Sequence, residues 1–178
     1  LLDSATKFED YIAKAVELGQ TAIAFTEHGN IYQWVAKKMA CDKAGLKYLH
    51  GCEVYLTEKL LLTDPRTGEQ NKVRDNYHTI LIAKNYAGLQ EMNELISRSS
   101  QDDHFYYKPR ITFDEFLGIS SNVIKISACL ASPLNRMSIT HPMYERLLKH
   151  FDYLEIQAHD HPEQVAYNRH LAEMSQKY

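Results

Sequence analysis

The sequence predicts an α/β fold in which helices flank a parallel sheet, either open or closed as a barrel. Short apolar runs alternate along the chain with stretches of helical periodicity, and glycine or proline stands at several of the boundaries. Helical stretches of about 10–15 residues between strands are typical of βαβ units. In such folds functional side chains collect just beyond the carboxyl ends of the strands, so those positions are the first to inspect.

The first elements have clear start and stop signals. Thr6 and Glu9 have the spacing of a capping box, which predicts the start of an amphipathic helix that Gly19 ends. Residues 21–25 are apolar and predict a short buried strand. Residues 31–44 return to helical periodicity before Gly45. The apolar residues that share one side of this second helix are Ile31, Trp34, Val35 and Met39.

The middle of the chain predicts two strands separated by a surface excursion. Residues 46–56 form the second extended run of the chain, and residues 57–76 are polar and charged with Pro65 and Gly68 near their centre. Such a composition is typical of a surface excursion, here of hairpin type. A strand at 78–83 and a helix at 87–99 follow.

The last third begins with an irregular aromatic and basic stretch at 104–111. A second capping box, Thr112 to Glu115, predicts a short helix after it. Pro162 suits the first turn of a final helix that runs to Tyr178. The elements between them are strands at 123–127 and 153–157 and a helix at 142–150.

The composition indicates a soluble globular protein with one core. The chain has 178 residues, of which 44% are hydrophobic and 24% charged. Its net charge of −3 does not indicate a nucleic-acid partner, although it is compatible with a local basic patch. Three cysteines without a C-x-x-C pair indicate a reducing, intracellular setting. Because no run has the length of a membrane span or the pattern of a signal peptide, we expect a cytoplasmic protein without membrane contact.

Several residues with metal-binding chemistry fall at or near strand ends. His28 follows the strand at 21–25, Cys129 the strand at 123–127 and His159 the strand at 153–157, while Glu53 lies within the second strand. Imidazole and thiolate suit Zn²⁺, and a carboxylate can bridge two ions. His78 does not fit this argument, because it precedes its apolar run.

Each of these residues also has an ordinary structural interpretation. Gly29 and Asn30 could form a simple turn after the first strand. A histidine is more often a surface or core residue than a ligand, and Cys129 alone is more often a small buried hydrophobe. Glu53 is the unusual one, because a carboxylate in an apolar strand needs a partner. The residue pattern alone leaves both interpretations open.

Six short stretches, in order, resemble one known family. They are FTEHGN, GCEVY, YHTILIAKN, FYYKPRI, SACLAS and YLEIQAHDHPEQ, and the opening LLDSATKFEDYIAKAVELGQTAIAFTEHGN resembles the start of the same family. The family is the PHP (polymerase and histidinol phosphatase) domain, as found at the N-terminus of the bacterial replicative polymerase, the DNA polymerase III alpha subunit. The resemblance extends over nearly the whole chain.

The resemblance implies a distorted (β/α)₇ barrel that binds a cluster of Zn²⁺ or Mn²⁺ ions and hydrolyses phosphoesters, including 3′–5′ proofreading of DNA. Glu53 and His28 would be the catalytic residues. His159 falls in a matching stretch without a firm ligand role. The residues at matching ligand positions are Asp3, His28, Glu53, His78 and Cys129.

The chain also departs from the family pattern. A His-x-His motif is expected upstream of Leu1 and an Asp-x-His motif downstream of Tyr178, so residues 1–178 would be a partial PHP domain, incomplete at both ends, with the excursion at about 57–76. We therefore expect fewer metal ions than in the intact domain, or none, and weak activity. Glu27 stands where the family usually has Asp, and we expect it to orient His28.

Three functions follow from these expectations. The first is the PHP domain of a replicative DNA polymerase, with DNA and other replication subunits as partners and a metal-dependent exonuclease activity. In that case Lys108 and Arg110 would contact phosphate, although the aromatic residues beside them could equally be packing groups. The alternatives are a structural or docking domain of the polymerase without catalysis, and a stand-alone phosphoesterase similar to histidinol phosphatase.

Overall fold

The computed structural model describes residues 5–178, and these form helices and strands in alternation. The helices are α1 (Phe8–Glu17), α2 (Trp34–Ala44), α3 (Tyr86–Ser99), α4 (Phe113–Leu117), α5 (Pro133–Arg136), α6 (Tyr144–His150) and α7 (Pro162–Lys177). The strands are β1 (Ala22–Phe25), β2 (Lys47–Thr57), β3 (Leu61–Thr63), β4 (Gln70–Lys72), β5 (Tyr77–Ala83), β6 (Arg110–Thr112) and β7 (Val123–Ile126). The α/β class predicted from the sequence is therefore confirmed.

The main sheet is mixed, whereas the sequence predicted a parallel one. Its strands lie in the order β1-β2-β5-β7. β6 pairs with the same edge of β2 as β1 does, but farther along that strand. β1 and β6 run parallel to β2, but β5 runs antiparallel to both β2 and β7. The amino end of β5 therefore lies at the sheet edge where β1 and β7 end. The described residues do not form a closed barrel.

Strand β2 is the longest strand and connects the core to the site. Side chains alternate between the two faces of a strand, and the members of β2 in the main apolar cluster are Cys52, Val54 and Leu56. The residues between them, Glu53 and Tyr55, consequently point to the opposite face. The partners in the same cluster come from β5, β6, β7 and helices α3, α4 and α6, so β2 is fixed on its core side.

Several predicted elements differ from the observed ones. The helix α1 begins at Phe8 with Lys7 as its N-cap and without a side-chain cap, so the predicted capping box of Thr6 and Glu9 is wrong. The strand predicted at 153–157 is reduced to one bridge between Ile126 and Tyr153. Beyond that bridge the segment bonds to side chains, since the amide of Glu155 donates to Ser127 Oγ.

Other predictions are confirmed. The excursion at 57–76 contains the antiparallel hairpin of β3 and β4. Thr112 and Glu115 form a complete capping box at α4, and Pro162 begins α7. Strand β6 and helix α5 were not predicted. Among residues 5–178, no helix combines the length and hydrophobicity that a membrane span requires.

Candidate metal centre

Four of the residues predicted as metal ligands lie next to one another at one edge of the main sheet. Oε1 of Glu53 is 2.9 Å from Nδ1 of His78 and 3.7 Å from Nδ1 of His28. Sγ of Cys129 is 3.7 Å from the same nitrogen of His78. Residues from four separate segments are thus collected around one carboxylate. Asp3, the fifth predicted ligand, lies outside the described residues.

The backbone fixes His28 beside Glu53. His28 and Glu53 form a parallel bridge that continues the pairing of β1 with β2, and the amide of Gly29 donates to the carbonyl of Glu53 at 2.7 Å. Gly29 has φ of +66°, and a Cβ there would lie 2.6 Å from Cγ of Pro109. Glycine is therefore required both by the left-handed backbone and by the close approach of Pro109. The turn interpretation of this segment is therefore correct, and the same turn places His28 beside Glu53.

His78 reaches the cluster because β5 is antiparallel. It pairs with Tyr55 across the sheet, which places the start of β5 beside the carboxyl ends of β1 and β7. Burial favours the neutral imidazole, but Cys129 and Glu53 outweigh burial and raise the pKa of His78 to about 9. The neighbouring His78 in turn lowers the pKa of the Cys129 thiol below its usual value. The pair thus favours a thiolate, which is the metal-binding form of cysteine.

A strained turn presents Cys129. Ala128 has φ of +57°, a conformation that residues other than glycine adopt rarely. The carbonyl of Ala131 accepts a hydrogen bond from the amide of His78 at 2.9 Å, and the amide of Ala131 lies 3.5 Å from the Cys129 sulfur. The turn after β7 is therefore tied to the start of β5, which keeps the thiol beside His78.

Tyr55 is a site residue that the sequence argument missed. Its side chain is buried, and its hydroxyl lies 2.8 Å from Nδ1 of His28. The Tyr55 ring also meets the His78 ring edge-on, with centroids 5.0 Å apart. The available signal was its position two residues after Glu53, which puts both side chains on one face of β2.

The carboxylate of Glu27 binds Lys37 rather than orienting His28. Lys37 is 4% exposed, and its ammonium donates to Glu27 and to the carbonyl of Tyr32. The expectation that Glu27 orients His28 is therefore wrong for the described contacts. The carboxylate is turned toward α2, because a buried ammonium needs a charged partner.

Lys108 and Arg110, the two predicted phosphate contacts, have different environments. The Lys108 ammonium lies 4.1 Å from the centre of the Tyr55 ring, and its charge contributes to the lowered pKa of Glu53. Arg110 is completely buried and donates to the carbonyls of Val73 and His104. The expected phosphate contact of Arg110 is wrong, because its guanidinium stabilises the interior instead.

His159 is exposed in the described structure. Its amide donates a local hydrogen bond to the carbonyl of Gln157. The helix α7 begins three residues later, at Pro162. The shared strand-end argument placed His159 near His28, but the strand that this argument required is absent from the described segment.

Comparisons with known proteins identify the family of the chain. A family model described as "PHP domain" matches residues 1–159. The chain belongs to the PHP domain family. Relatives of this PHP domain include the DNA polymerase III subunit alpha of Aquifex aeolicus, 33% identical over the whole chain, and that of Borreliella burgdorferi, 31% identical over 99% of it. The chain spans 16% of the length of each of these relatives.

Two solved structures share the PHP-type fold at low sequence identity. A protein from Bifidobacterium adolescentis assigned as a metal-dependent phosphoesterase superposes with a TM-score of 0.63 at 10% identity, covering 98% of this chain and 79% of that chain. An amidohydrolase from Chromobacterium violaceum superposes with a TM-score of 0.55 at 11% identity, covering 97% and 80%. At this identity the two structures establish the fold alone.

The cluster of this PHP domain has donors that suit a divalent metal, although it is not a complete site. Within residues 5–178, no three His, Cys, Asp or Glu side chains converge on a single ion position. The cluster nevertheless supplies imidazole, carboxylate and thiolate. The Cys129–His78 spacing of 3.7 Å matches the roughly 3.6 Å that a tetrahedral zinc places between sulfur and nitrogen.

Glu53 gives a second indication of fit. Its Oε1 is buried and makes no well-aligned hydrogen bond within the described part of the chain, although His78 lies beside it. A buried carboxylate oxygen in this state is costly unless a charge compensates it. Burial raises the pKa of Glu53, but His78, His28 and Lys108 together outweigh burial and lower it, so the carboxylate is held ionised. A cation at this position would complete its coordination.

Proposed function

We propose that this chain is the PHP domain of a bacterial DNA polymerase III alpha subunit and that it hydrolyses DNA phosphodiesters from the 3′ end. The observation that carries the proposal is the proximity of His28, Glu53, His78 and Cys129 at one sheet edge. The similarity to DNA polymerase III alpha subunits supports the choice of DNA as substrate. DNA and other replication subunits in the cytoplasm would be its partners through the parent polymerase.

The residues of the cluster would hold divalent ions, Zn²⁺ or Mn²⁺, together with Asp3 and with donors from neighbouring segments of a complete barrel. When bound, such ions would supply Lewis acidity toward the phosphate oxygens and acidify a water molecule. Glu53 would help to hold an ion through its carboxylate, whose Oε1 lies 2.9 Å from Nδ1 of His78 and 3.7 Å from Nδ1 of His28. Cys129 would contribute a thiolate, whose formation His78 favours.

The remaining residues would position the substrate and the ligands. Lys108 lies above the Tyr55 ring and could neutralise a phosphate oxygen without leaving the cluster. The Tyr55 hydroxyl lies 2.8 Å from Nδ1 of His28 and would help to fix the orientation of that ring. Tyr55 is in this proposal a positioning residue.

The test is the release of nucleotides from a labelled single-stranded DNA in the presence of Mn²⁺. Glu53→Gln removes the carboxylate charge and should abolish release, while Glu173→Gln on the exposed face of α7 should leave it unchanged. Metal analysis of both variants should show that Glu53→Gln binds fewer ions. Unchanged release by Glu53→Gln would refute the assignment. A wild-type protein that binds no metal would instead favour the structural or docking role.

A further inference from the structure

Tyr107 is an exposed aromatic residue in a strained backbone conformation. It has φ of +60°, and 69% of its surface is accessible. A bulky side chain in the left-handed region is a true outlier, and such strain is concentrated at functional sites. The neighbouring Phe105 is also exposed. We call the surface formed by Arg74, Phe105, Tyr107 and Lys108 the Tyr107 surface.

The Tyr107 ring is held in place rather than left to move. The Arg74 guanidinium carbon lies 4.9 Å from the ring centre, and its Nη2 donates to the Tyr107 hydroxyl at 3.1 Å. The Tyr106 ring meets Tyr107 edge-on, with centroids 4.6 Å apart. Lys72 on the hairpin donates to the carbonyl of Phe105 at 3.0 Å and so ties the segment to β4. The ring is thus preorganised although most of it faces solvent.

The Tyr107 surface adjoins the candidate metal centre. The next residue, Lys108, lies above the ring of Tyr55, whose hydroxyl bonds His28. The residue after that, Pro109, packs against Gly29. Three consecutive residues therefore lead from the open aromatic surface to the cluster, and a ligand bound at the cluster would have the Tyr107 surface as its neighbour.

The chemistry of this surface fits a single-stranded nucleic acid. Proteins that bind single strands combine cationic side chains, which contact the phosphates, with aromatic rings on which bases stack. Arg74 and Lys108 supply the cations, and Tyr107 supplies the stacking ring. Bases inside a duplex are covered on both faces by their neighbours, whereas an unpaired base can present a face to such a ring, so the surface favours a frayed or single-stranded 3′ end over the body of a duplex.

We propose that Tyr107 stacks on an unpaired base of single-stranded DNA and guides its 3′ end to the cluster of His28, Glu53, His78 and Cys129. The guiding role rests on the proposed exonuclease function, whereas the stacking itself does not depend on hydrolysis. Tyr107 is therefore expected to affect binding and the KM for DNA more than kcat.

The experiment measures binding in EDTA, where metal-dependent hydrolysis cannot occur. The probe is a short single-stranded oligodeoxynucleotide with 2-aminopurine at its 3′ end, whose fluorescence is quenched when the base stacks. Tyr107→Gly should weaken binding by roughly 5- to 150-fold and abolish the protein-induced quenching. Tyr107→Phe keeps the ring and should retain most of both signals.

Two further measurements distinguish the loss of base stacking from a general loss of folding. Glycine tolerates the positive φ, so thermal unfolding of Tyr107→Gly should show a stably folded protein. Tyr86→Ala is the matched control, because Tyr86 is 73% exposed but lies beyond the opposite end of β5 from His78. This variant should bind and quench as the wild type does.

The outcomes separate the stacking proposal from the proposed function. Unchanged binding and quenching in Tyr107→Gly would overturn the stacking proposal, even with normal Mn²⁺-dependent hydrolysis, and would leave the Tyr107 surface as a candidate contact for another protein. Tyr107-dependent quenching in a wild-type protein that hydrolyses nothing would support stacking while the exonuclease function fails.

Discussion

Replacing Tyr55 by phenylalanine tests whether the hydroxyl on His28 serves metal binding. The substitution removes one oxygen, which lies 2.8 Å from Nδ1 of His28, and keeps the ring that packs against His78 and under Lys108. Without this hydroxyl the His28 imidazole loses one of the contacts that fix its orientation and tautomer. We therefore expect weaker metal binding with little change in the fold.

The magnitude follows from the type of contact that is lost. Partners that orient a ligating histidine through its other nitrogen typically change metal affinity about 10- to 100-fold, or roughly 1.4–2.7 kcal/mol. The loss of one neutral hydrogen bond should lower the free energy of unfolding by only about 0.5–1.5 kcal/mol. The phenylalanine ring fills the space of the buried Tyr55 ring, so only the volume of the hydroxyl oxygen is lost.

The assay is a calorimetric titration of the metal-free protein with Mn²⁺ and, separately, with Zn²⁺. Tyr48→Phe is the matched control, since the Tyr48 hydroxyl also contacts a histidine on β2, His50, at 3.1 Å but at the other end of the strand. Tyr48→Phe should bind metal as the wild type does. Equal affinities of the Tyr55→Phe and Tyr48→Phe variants would refute the proposed role of Tyr55.

Three further substitutions test the surroundings of the site. Burial raises the pKa of Glu115, but its hydrogen bonds to Thr112 and to basic side chains outweigh burial and lower the pKa below 4.5. The ionised Glu115 therefore stabilises the folded protein above that pH, and this contribution is lost as acid is added. In urea unfolding, Glu115→Gln should be less stable than the wild type at neutral pH and should lose less stability in acid. Arg110→Met removes the donor from two interior carbonyls and should cost about 2–4 kcal/mol in the same assay, whereas weaker DNA binding at unchanged stability would contradict its structural role. Gly29→Ala places a Cβ on a left-handed backbone and against Pro109, so the thermal midpoint should fall. A midpoint equal to that of the wild type would show that this packing is not needed.

The local features of the fold were predictable because they depend on neighbouring residues. The capping box at Thr112 and the hairpin in the excursion follow from short-range chemistry. The direction of β5 does not, since an apolar run at 78–83 has the same pattern whether its partner is parallel or antiparallel. The short strand β6 was missed for a similar reason, because its pairing with β2 is a long-range contact.

The residues of the candidate site likewise divide into those that local sequence predicts and those that depend on long-range pairing. His28 and Cys129 were found because they follow predicted strands, and His78 needed the family resemblance because its strand runs the other way. Arg110 was misjudged, since a guanidinium in a basic and aromatic stretch resembles a surface group, and only the fold shows that it satisfies interior carbonyls.

Strand β2 explains why a carboxylate and a buried hydroxyl occur together in an otherwise apolar run. Glu53 and Tyr55 share the face opposite to Cys52 and Val54, which pack into the core. A slip of β2 by one residue would turn Glu53 into the apolar cluster and remove Tyr55 from His28, and the burial of the apolar residues opposes such a slip. The core therefore fixes the register that keeps the two polar groups at the site. Disturbing the core face of β2 should consequently weaken metal binding even where no ligand is changed.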